Sequence, residues 1–191
     1  KRNFILANAL LKNKTNTPVI EFAYQGPLLE FYGNKIYFVI TGDVQFQIIK
    51  KNKEEIIGIP YNVYSIENKD QIDIKSTNKS VYGYLSINEK FIIDEIWGSF
   101  SINTKAKIGS NNGEKLSNNQ KINIDYKNNK TALKKLNYIN NKIENIRVIK
   151  GTNFNYFSEK AKNIFFKEEF KVTKLSDRMG MRLEGQILEN I

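Results

Sequence analysis

The sequence predicts a mainly β protein with a few short helices, and two observations support this fold class. From about residue 19 to residue 126, short apolar runs are separated by turn residues such as Gly26-Pro27 and Thr41-Gly42-Asp43. Many short strands with frequent turns are typical of a β-sandwich or a β-barrel. The composition, with 40% hydrophobic and 12% aromatic residues, is that of a globular protein and not of a disordered chain.

The individual elements follow from the apolar pattern along the chain. Phe4, Ala7, Leu10 and Leu11 recur at helical spacing, so residues 1–12 are predicted to form an amphipathic helix. Alternating or continuous apolar runs then predict a series of short strands. These strands are expected at residues 19–24, 28–32, 35–40, 44–49, 54–57, 63–67, 71–75, 81–87 and 121–126.

Residues 98–120 are poor in apolar side chains and rich in Gly, Ser and Asn, which predicts a long surface loop. Its most polar part, residues 109–113, lacks the Gly-Lys-Ser/Thr ending of a phosphate-binding loop, and no helix is predicted after it. We therefore expect no nucleotide site in this loop.

The pattern divides the chain into a first β unit at residues 1–126, a polar linker at 127–142 and a second unit at 143–191. In the second unit the sequence predicts a strand at 143–149, a helix at 154–166 and a strand at 170–173. About fifty residues are few for an independent β-domain, so we expect this unit to be truncated or to need a partner. The chain also lacks an initiating Met, which suggests that it begins partway through a gene product.

The composition excludes several kinds of chemistry. The chain has no Cys and no His, which excludes disulfides, thiolate nucleophiles, the usual zinc sites and any Ser-His-Asp triad. We predict no metal site and a cytoplasmic location. No run approaches the roughly 18 apolar residues of a membrane span. The net charge of +10 comes from scattered lysines in a chain that is also rich in Asn and Ile, so we expect no specific nucleic-acid partner.

The most specific segment is the decapeptide Ser176–Gly185, which reads Ser-Asp-Arg-Met-Gly-Met-Arg-Leu-Glu-Gly. The chain has 26 lysines and only four arginines, and two of these arginines, Arg178 and Arg182, lie in this segment. Because the planar guanidinium binds carboxylates through two parallel hydrogen bonds, arginine specifies geometry where lysine supplies only charge.

If residues 178–184 are extended, alternate side chains share a face and the Cα atoms of the two arginines lie ~13 Å apart. Arg178, Gly180, Arg182 and Glu184 then point one way, and Met179, Met181 and Leu183 point into a core. In one interpretation an arginine binds a substrate carboxylate or carboxyphosphate and Glu184 orients it. In the other, Arg182 and Glu184 form a surface ion pair worth under about 1 kcal/mol.

The chain resembles the family of the 5-oxoprolinase C subunit, also called allophanate hydrolase subunit 2 or KipA-like. Ser176–Gly185 is similar to the family's Ser-Asp/Asn-Arg-Met-Gly-Tyr-Arg-Leu-Glu-Gly, with Met181 in place of the aromatic residue. Weaker matches, in the same order as in the family, are Lys1–Leu11, Glu21, Gly26-Pro27, Phe31, Thr41-Gly42, Gly98-Ser99, Ile146–Gly151 and Tyr156-Phe157. The chain departs from the family at Asp43, where Ala is usual, and at Lys150, where Pro is usual.

The resemblance implies tandem cyclophilin-like β-barrel units, the second of them incomplete. It implies a subunit of an ATP-dependent complex that opens 5-oxoproline to glutamate, together with the KipI-like B subunit of 5-oxoprolinase and a third subunit. The complex would use ATP, and no cofactor is expected on this chain. The first alternative is a biotin-dependent carboxyltransferase module of a urea carboxylase or allophanate hydrolase-like system. The second is a non-catalytic regulatory partner of a KipI-like protein.

The candidate site residues are those of the decapeptide, and no catalytic residue is assigned. The candidates for binding an anionic substrate or intermediate, at a cleft shared with the KipI-like partner, are Asp177, Arg178, Gly180, Arg182 and Glu184. Asp43 and Arg147 are secondary candidates, although Asp is common in turns and Arg147 precedes a turn. Trp97, the only tryptophan, is expected in the core or at an interface.

Overall fold

The computed structural model describes residues 1–127, 131–137, 145–176 and 180–189. The chain divides into two compact units, residues 1–139 and residues 140–191. Residues 134–136, which the sequence places in the linker, pair with the first unit: Val63 N–H donates to the Lys134 carbonyl at 2.8 Å and Leu136 N–H to the Tyr61 carbonyl at 3.2 Å. The domain boundaries proposed from the sequence stay a prediction.

The first unit contains one helix and ten strands in the part of the chain that the structure describes. They are α1 (Arg2–Leu10), β1 (Ile20–Ala23), β2 (Leu28–Glu30), β3 (Ile36–Thr41), β4 (Val44–Ile49), β5 (Glu55–Gly58), β6 (Val63–Ile66), β7 (Gln71–Thr77), β8 (Tyr82–Ile87), β9 (Lys90–Phe91) and β10 (Ile124–Asp125). The predicted mainly β fold class is confirmed. Of these strands, the sequence analysis missed β9, a two-residue strand that pairs with β10.

Two four-stranded antiparallel sheets form the body of this unit, with strand orders β1-β8-β3-β6 and β2-β7-β4-β5. Their facing side chains form one core, in which Phe38 of β3 meets Phe46 of β4 edge to face with ring centroids 6.4 Å apart. Among the described residues the hydrogen-bonded ladders do not close into a barrel. The architecture there is therefore two packed sheets.

The sequence of β3 is almost continuously apolar because side chains on both faces of this strand are buried. Its alternate residues Ile36, Phe38 and Ile40 enter the core between the sheets. Val39, on the opposite face, packs with Ala7 and Leu10 of α1. Because α1 covers the outer face of the sheet, both faces of β3 are buried, which favours apolar side chains at successive positions. The predicted helix at the start of the chain is confirmed, and its apolar stripe has a definite partner.

A buried amide fixes α1 to this sheet. Asn8 is fully buried and donates from its side chain to the carbonyl of Thr17 at 2.9 Å. Its Oδ1 accepts a hydrogen bond from the Ser86 hydroxyl of β8 at 2.9 Å. Asn13, just after the helix, donates to the Ile87 carbonyl at 2.8 Å. Since buried polar groups cost free energy unless they are paired, these bonds specify one docking position for the helix.

The predicted loop at 98–120 is irregular apart from an isolated bridge between Asn103 and Ile108 and a 3-10 turn at Asn111–Gly113. Two of its glycines allow close chain crossings. A Cβ at Gly109 would lie 2.6 Å from the Ser101 carbonyl oxygen, and one at Gly113 would lie 2.1 Å from the Lys107 carbonyl carbon. Both glycines also have positive φ, so the loop has a defined fold that depends on them.

The second unit contains a 3-10 turn (Phe154–Tyr156), α2 (Glu159–Lys167), β11 (Lys171–Ser176) and β12 (Met181–Glu184) among its described residues. The predicted helix at 154–166 is wrong in extent, because Ser158 interrupts it as an N-cap whose hydroxyl accepts from Ala161 N–H at 3.1 Å. The predicted strand at 143–149 is also wrong over residues 145–149, which are irregular, and Ile149 is 96% exposed. Within the ranges given above, no helix is both long and apolar enough to cross a membrane.

Candidate functional site

The described residues of the decapeptide, Ser176 and 180–185, lie in or next to the paired strands β11 and β12. Ser176 ends β11 and pairs with Met181, the first residue of β12. At the other end of the hairpin Lys171 pairs with Glu184. Asp177 and Arg178 lie outside the described residues, so nothing is said of their positions. Of the five decapeptide candidates, the structure places Gly180, Arg182 and Glu184.

A bulge faces Arg182. The pair Val172–Leu183 and the pair Ser176–Met181 have a register shift between them, so residues 173–175 of β11 lie opposite the single residue Arg182. Within this segment the Thr173 hydroxyl oxygen accepts a hydrogen bond from Leu175 N–H at 3.2 Å. Bulges bend a strand and change the direction of neighbouring side chains. No sequence pattern indicates this one, since it depends on how the two strands pair.

The two faces of the hairpin differ in chemistry. Arg182 and Glu184 share one face, as alternation along a strand requires, and Met181 and Leu183 share the other. The predicted burial of the apolar pair is wrong for the described part of the chain, where Met181 is 64% and Leu183 48% exposed. All four residues of β12 are exposed.

The surface ion pair between Arg182 and Glu184 is not formed. Among the described residues, no salt bridge or hydrogen bond joins the Arg182 guanidinium to the Glu184 carboxylate, and Glu184 pairs across the strands with Lys171 in the ladder. A hollow of about 100 Å³ lies between α2 and residues 186–189, and Arg182 does not line it. The hairpin thus presents an exposed guanidinium on a surface, which can bind a carboxylate or a phosphate through two parallel hydrogen bonds.

Asp43 forms hydrogen bonds that connect two turns of the fold. Its Oδ2 accepts from Lys79 N–H at 3.0 Å and its Oδ1 from the Asn78 side-chain amide at 3.2 Å. Its own N–H donates to the Ser80 hydroxyl at 3.1 Å. These bonds tie the turn between β3 and β4 to the turn before β8, which accounts for an Asp at this position without a role as general base.

Arg147 lies exposed in the irregular segment 145–150. No hydrogen bond or ion pair within the described residues links it to Arg182 or Glu184.

Close to Arg147 in sequence, the structure shows a charged cluster that the sequence analysis missed. Lys150 and Lys162 each place Nζ 4.9 Å from the centroid of the Phe154 ring. The pKa of Glu159 lies below the ordinary value of a glutamate, because Lys162 donates a hydrogen bond to the carboxylate and carries a positive charge.

A second group that the sequence analysis missed lies at the end of the first unit. Glu89 is buried, and its carboxylate accepts from Lys127 N–H at 2.6 Å and from the Asn88 side-chain amide at 3.2 Å. Burial, followed by the charge of Glu89, raises the pKa of Tyr126. The Tyr126 hydroxyl is buried without a hydrogen-bond partner. The short pairing of β9 with β10 helps to bring these residues together, and the sequence offers little signal for so short a pairing.

Acidic side chains can also bind metal ions when several of them converge. In residues 1–127, 131–137, 145–176 and 180–189, no group of three or more His, Cys, Asp or Glu side chains is arranged to hold a metal ion.

Two curated relatives that are similar to this chain have the same description. The 5-oxoprolinase C subunit of Haemophilus influenzae is 25% identical over 183 residues, covering 95% of this chain and 57% of that protein. The 5-oxoprolinase C subunit of Escherichia coli is 23% identical, with 96% and 58% covered. The chain thus spans less than two thirds of the length of these relatives.

A solved structure supports the same fold. The urea amidolyase of Kluyveromyces lactis superposes with a TM-score of 0.78 at 20% identity, covering 98% of this chain and 12% of that one. At this identity the likeness concerns the fold alone. The model of one protein family, described as the carboxyltransferase domain, subdomain A and B, matches residues 1–190. Since that match covers nearly the whole sequence, the chain belongs to the carboxyltransferase domain family.

Proposed function

We propose that this chain is a subunit of an ATP-dependent 5-oxoprolinase-type amide hydrolase complex. One observation carries the proposal: the curated relatives that align with 95–96% of the chain are named as the C subunit of 5-oxoprolinase. The proposed complex contains the KipI-like B subunit and a third subunit, and it hydrolyses the lactam bond of 5-oxoproline with ATP. Because those relatives are named as one subunit of 5-oxoprolinase, activity is expected from the complex and not from this chain alone.

In this proposal the β11–β12 hairpin holds an anionic group at a cleft shared with the KipI-like partner. The exposed Arg182 side chain supports this role, because a guanidinium without a salt bridge to Glu184 needs no rearrangement before it binds a carboxylate. The bulge opposite Arg182 leaves the ladder interrupted at that residue, which gives a ligand room to approach its strand. Arg178, Asp177 and Gly180 of the same decapeptide complete the proposed binding segment.

The test is reconstitution with the KipI-like partner and the third subunit from the same genome, followed by an assay of ATP-dependent 5-oxoproline hydrolysis. Arg182→Ala should lower kcat/KM by roughly 10- to 100-fold, the value of one or two lost charged hydrogen bonds. Arg182→Lys keeps the charge but loses the two-point geometry, so it should restore only part of the activity. Lys167→Ala removes an exposed positive charge from the end of α2 and should leave activity unchanged.

Two results would argue against this proposal. Full activity of Arg182→Ala in a complex that assembles normally would remove the hairpin from the binding site. A stable complex with no turnover of 5-oxoproline would remove the hydrolase function and would favour the regulatory alternative, a non-catalytic partner of a KipI-like protein.

A carboxyltransferase role is the second candidate, and the description of the matching family as a carboxyltransferase domain favours it. In that case biotin would carry the carboxyl group to the substrate, and an exposed guanidinium such as Arg182 would suit that group equally well. The same complex, assayed with urea, bicarbonate and ATP, distinguishes the two candidates. Carboxylation of urea without hydrolysis of 5-oxoproline would support the second.

A further inference from the structure

The most exposed aromatic side chain among the described residues of the first unit stands on a tight turn. Trp97, the only tryptophan of the chain, is 86% exposed. Ile96 and Ser99 exchange two backbone hydrogen bonds of 2.9 and 3.0 Å around it. Trp97 and Gly98 between them have φ values of 51° and 73°. Two positive φ values in a two-residue connection suit Asn or Gly, so a bulky residue at Trp97 is held there at a conformational cost.

The turn is fixed at its base by the rest of the unit. Ile93 packs against the core between the sheets. Asp94 N–H donates to the hydroxyl of the buried Ser110 at 3.2 Å. Lys90 places Nζ 4.9 Å from the centroid of the Phe100 ring on the other side of the turn. The indole is therefore presented from a stable base, which lowers the ordering cost of binding.

The surroundings of Trp97 are acidic and apolar in a chain of net charge +10. Asp94 and Glu95 are exposed beside it, and so is Ile92. From Phe91 to Thr104 the sequence has no Lys or Arg. We call residues 92–99 the Trp97 tip. A surface that fits this tip must offer an apolar pocket for the indole and Lys or Arg side chains around it.

We propose that the Trp97 tip is the point where this chain docks into an apolar, base-rimmed pocket of its KipI-like partner; this inference rests on the proposed function as a subunit of a complex. The geometry favours insertion into a pocket of another protein over a small ligand held on this chain. A Cβ at the neighbouring Gly98 would have no atom within 4 Å, so the tip borders open space at this turn, whereas small-molecule sites are concave. Buried tryptophans are among the residues that contribute most to protein–protein affinity.

A single tryptophan makes the inference directly measurable. The full chain is labelled with 5-fluorotryptophan, which gives one fluorine NMR resonance, and is titrated with the KipI-like protein of the same genome. We expect the resonance to shift and to lose its difference between H2O and D2O as the indole leaves water. Trp97→Ala should raise the Kd for this partner by at least ~30-fold and leave the Tm of the isolated chain unchanged.

Two further variants separate this effect from general surface changes. Ile57→Ala alters another exposed apolar side chain, which is 83% exposed on strand β5, and should change the Kd less than about threefold. The double variant Asp94→Lys/Glu95→Lys should slow association and reverse its dependence on salt, since it opposes basic side chains in the pocket.

The outcomes distinguish the inference from the proposed function. Tight binding of Trp97→Ala, within about threefold of the unmodified chain, would overturn the docking role and leave the proposed function standing. Absence of any complex with the unmodified chain would overturn both. A shift of the fluorine resonance with chain concentration, or with 5-oxoproline or ATP alone, would assign the tip to self-association or to a small ligand and would overturn the inference.

Discussion

Replacing Asp70 with Asn tests whether one buried carboxylate holds two turns of the first unit together. Asp70 is 4% exposed. Its Oδ2 accepts from Lys50 Nζ at 2.7 Å and from Glu67 N–H at 2.9 Å, and its Oδ1 accepts from Lys51 N–H at 3.0 Å. The carboxylate thus joins the turn after β4 to the turn after β6, and Asn keeps its size while removing charge and one acceptor.

The magnitude follows from these contacts. In Asp70→Asn one amide nitrogen replaces an acceptor, so a backbone N–H loses its partner at a cost of about 1–2 kcal/mol. The Lys50 hydrogen bond loses its charge assistance, which costs about 1–2 kcal/mol more, and solvent limits this loss because the Lys50 side chain is 27% exposed. The expected loss in free energy of unfolding is about 3 kcal/mol. Asp73→Asn, which removes a carboxylate paired with the exposed Lys75, should cost under about 1 kcal/mol.

The loss in free energy of unfolding caused by Asp70→Asn should also depend on pH. Burial alone raises the pKa of Asp70, but the hydrogen bonds from Lys50, Glu67 and Lys51 more than offset it, so the pKa in the folded state is below its ordinary value. A lowered folded pKa means that the carboxylate stabilises the fold above the unfolded value of about 3.9 and that this contribution is lost as the pH falls through the folded pKa. The difference in free energy of unfolding between the unmodified chain and Asp70→Asn should therefore be constant near neutral pH and shrink below about pH 4.

Urea unfolding of the full chain, followed by circular dichroism at pH 7, 5 and 3, measures each of these quantities. A cost of Asp70→Asn no larger than that of Asp73→Asn at pH 7 would refute the role given to the buried carboxylate. A difference between the unmodified chain and Asp70→Asn that grew on acidification would refute it as well, since that would require a raised pKa of Asp70 in the folded state.

Three further predictions concern other contacts of the fold. A Cβ at Gly33 would lie 2.0 Å from the Tyr126 hydroxyl oxygen. Gly33→Ala should therefore lower the free energy of unfolding by ~2 kcal/mol or more, and by less in a Tyr126→Phe background. A double-mutant cycle by urea unfolding that showed no coupling between the two positions would contradict this. Tyr126→Phe alone should be neutral or stabilising, because the buried hydroxyl has no hydrogen-bond partner. Ser158→Ala removes the cap of α2 and should destabilise the second unit by ~1 kcal/mol, measured by hydrogen exchange at α2 amides, whereas Ser158→Asp should preserve their protection.

The strands of the first unit could be predicted because their residue patterns have physical causes. In β4, every second residue from Val44 to Ile48 is buried, so burial on one face is visible in the sequence as alternation. The run at residues 145–149 has the apolar residues of a strand but lacks a pairing partner among the described residues. Strand propensity describes a side chain on a sheet surface, and it does not supply the neighbouring strand.

Part of the geometry of the β11–β12 hairpin could also be predicted, whereas the binding role of its residues stays a prediction. That Arg182 and Glu184 share a face follows from the two-residue period of a strand and needs no knowledge of the fold. The bulge opposite Arg182 depends on the register between β11 and β12, which the residue pattern of one strand cannot give. The same limit applies to Asp43, whose hydrogen-bond partner Lys79 lies 36 residues further along the chain.

The amide of Asn8 has a consequence for the order in which the protein folds. Its hydrogen bond to Ser86 closes a separation of 78 residues, and that of Asn13 to the Ile87 carbonyl closes 74. A nine-residue helix has little stability by itself in water, so α1 gains most of its stability from the sheet on which it docks. Contacts over such separations form late because the chain must first close a large loop. On the ribosome, α1 is synthesised before β8 and must wait for that strand before its buried amide finds its partner.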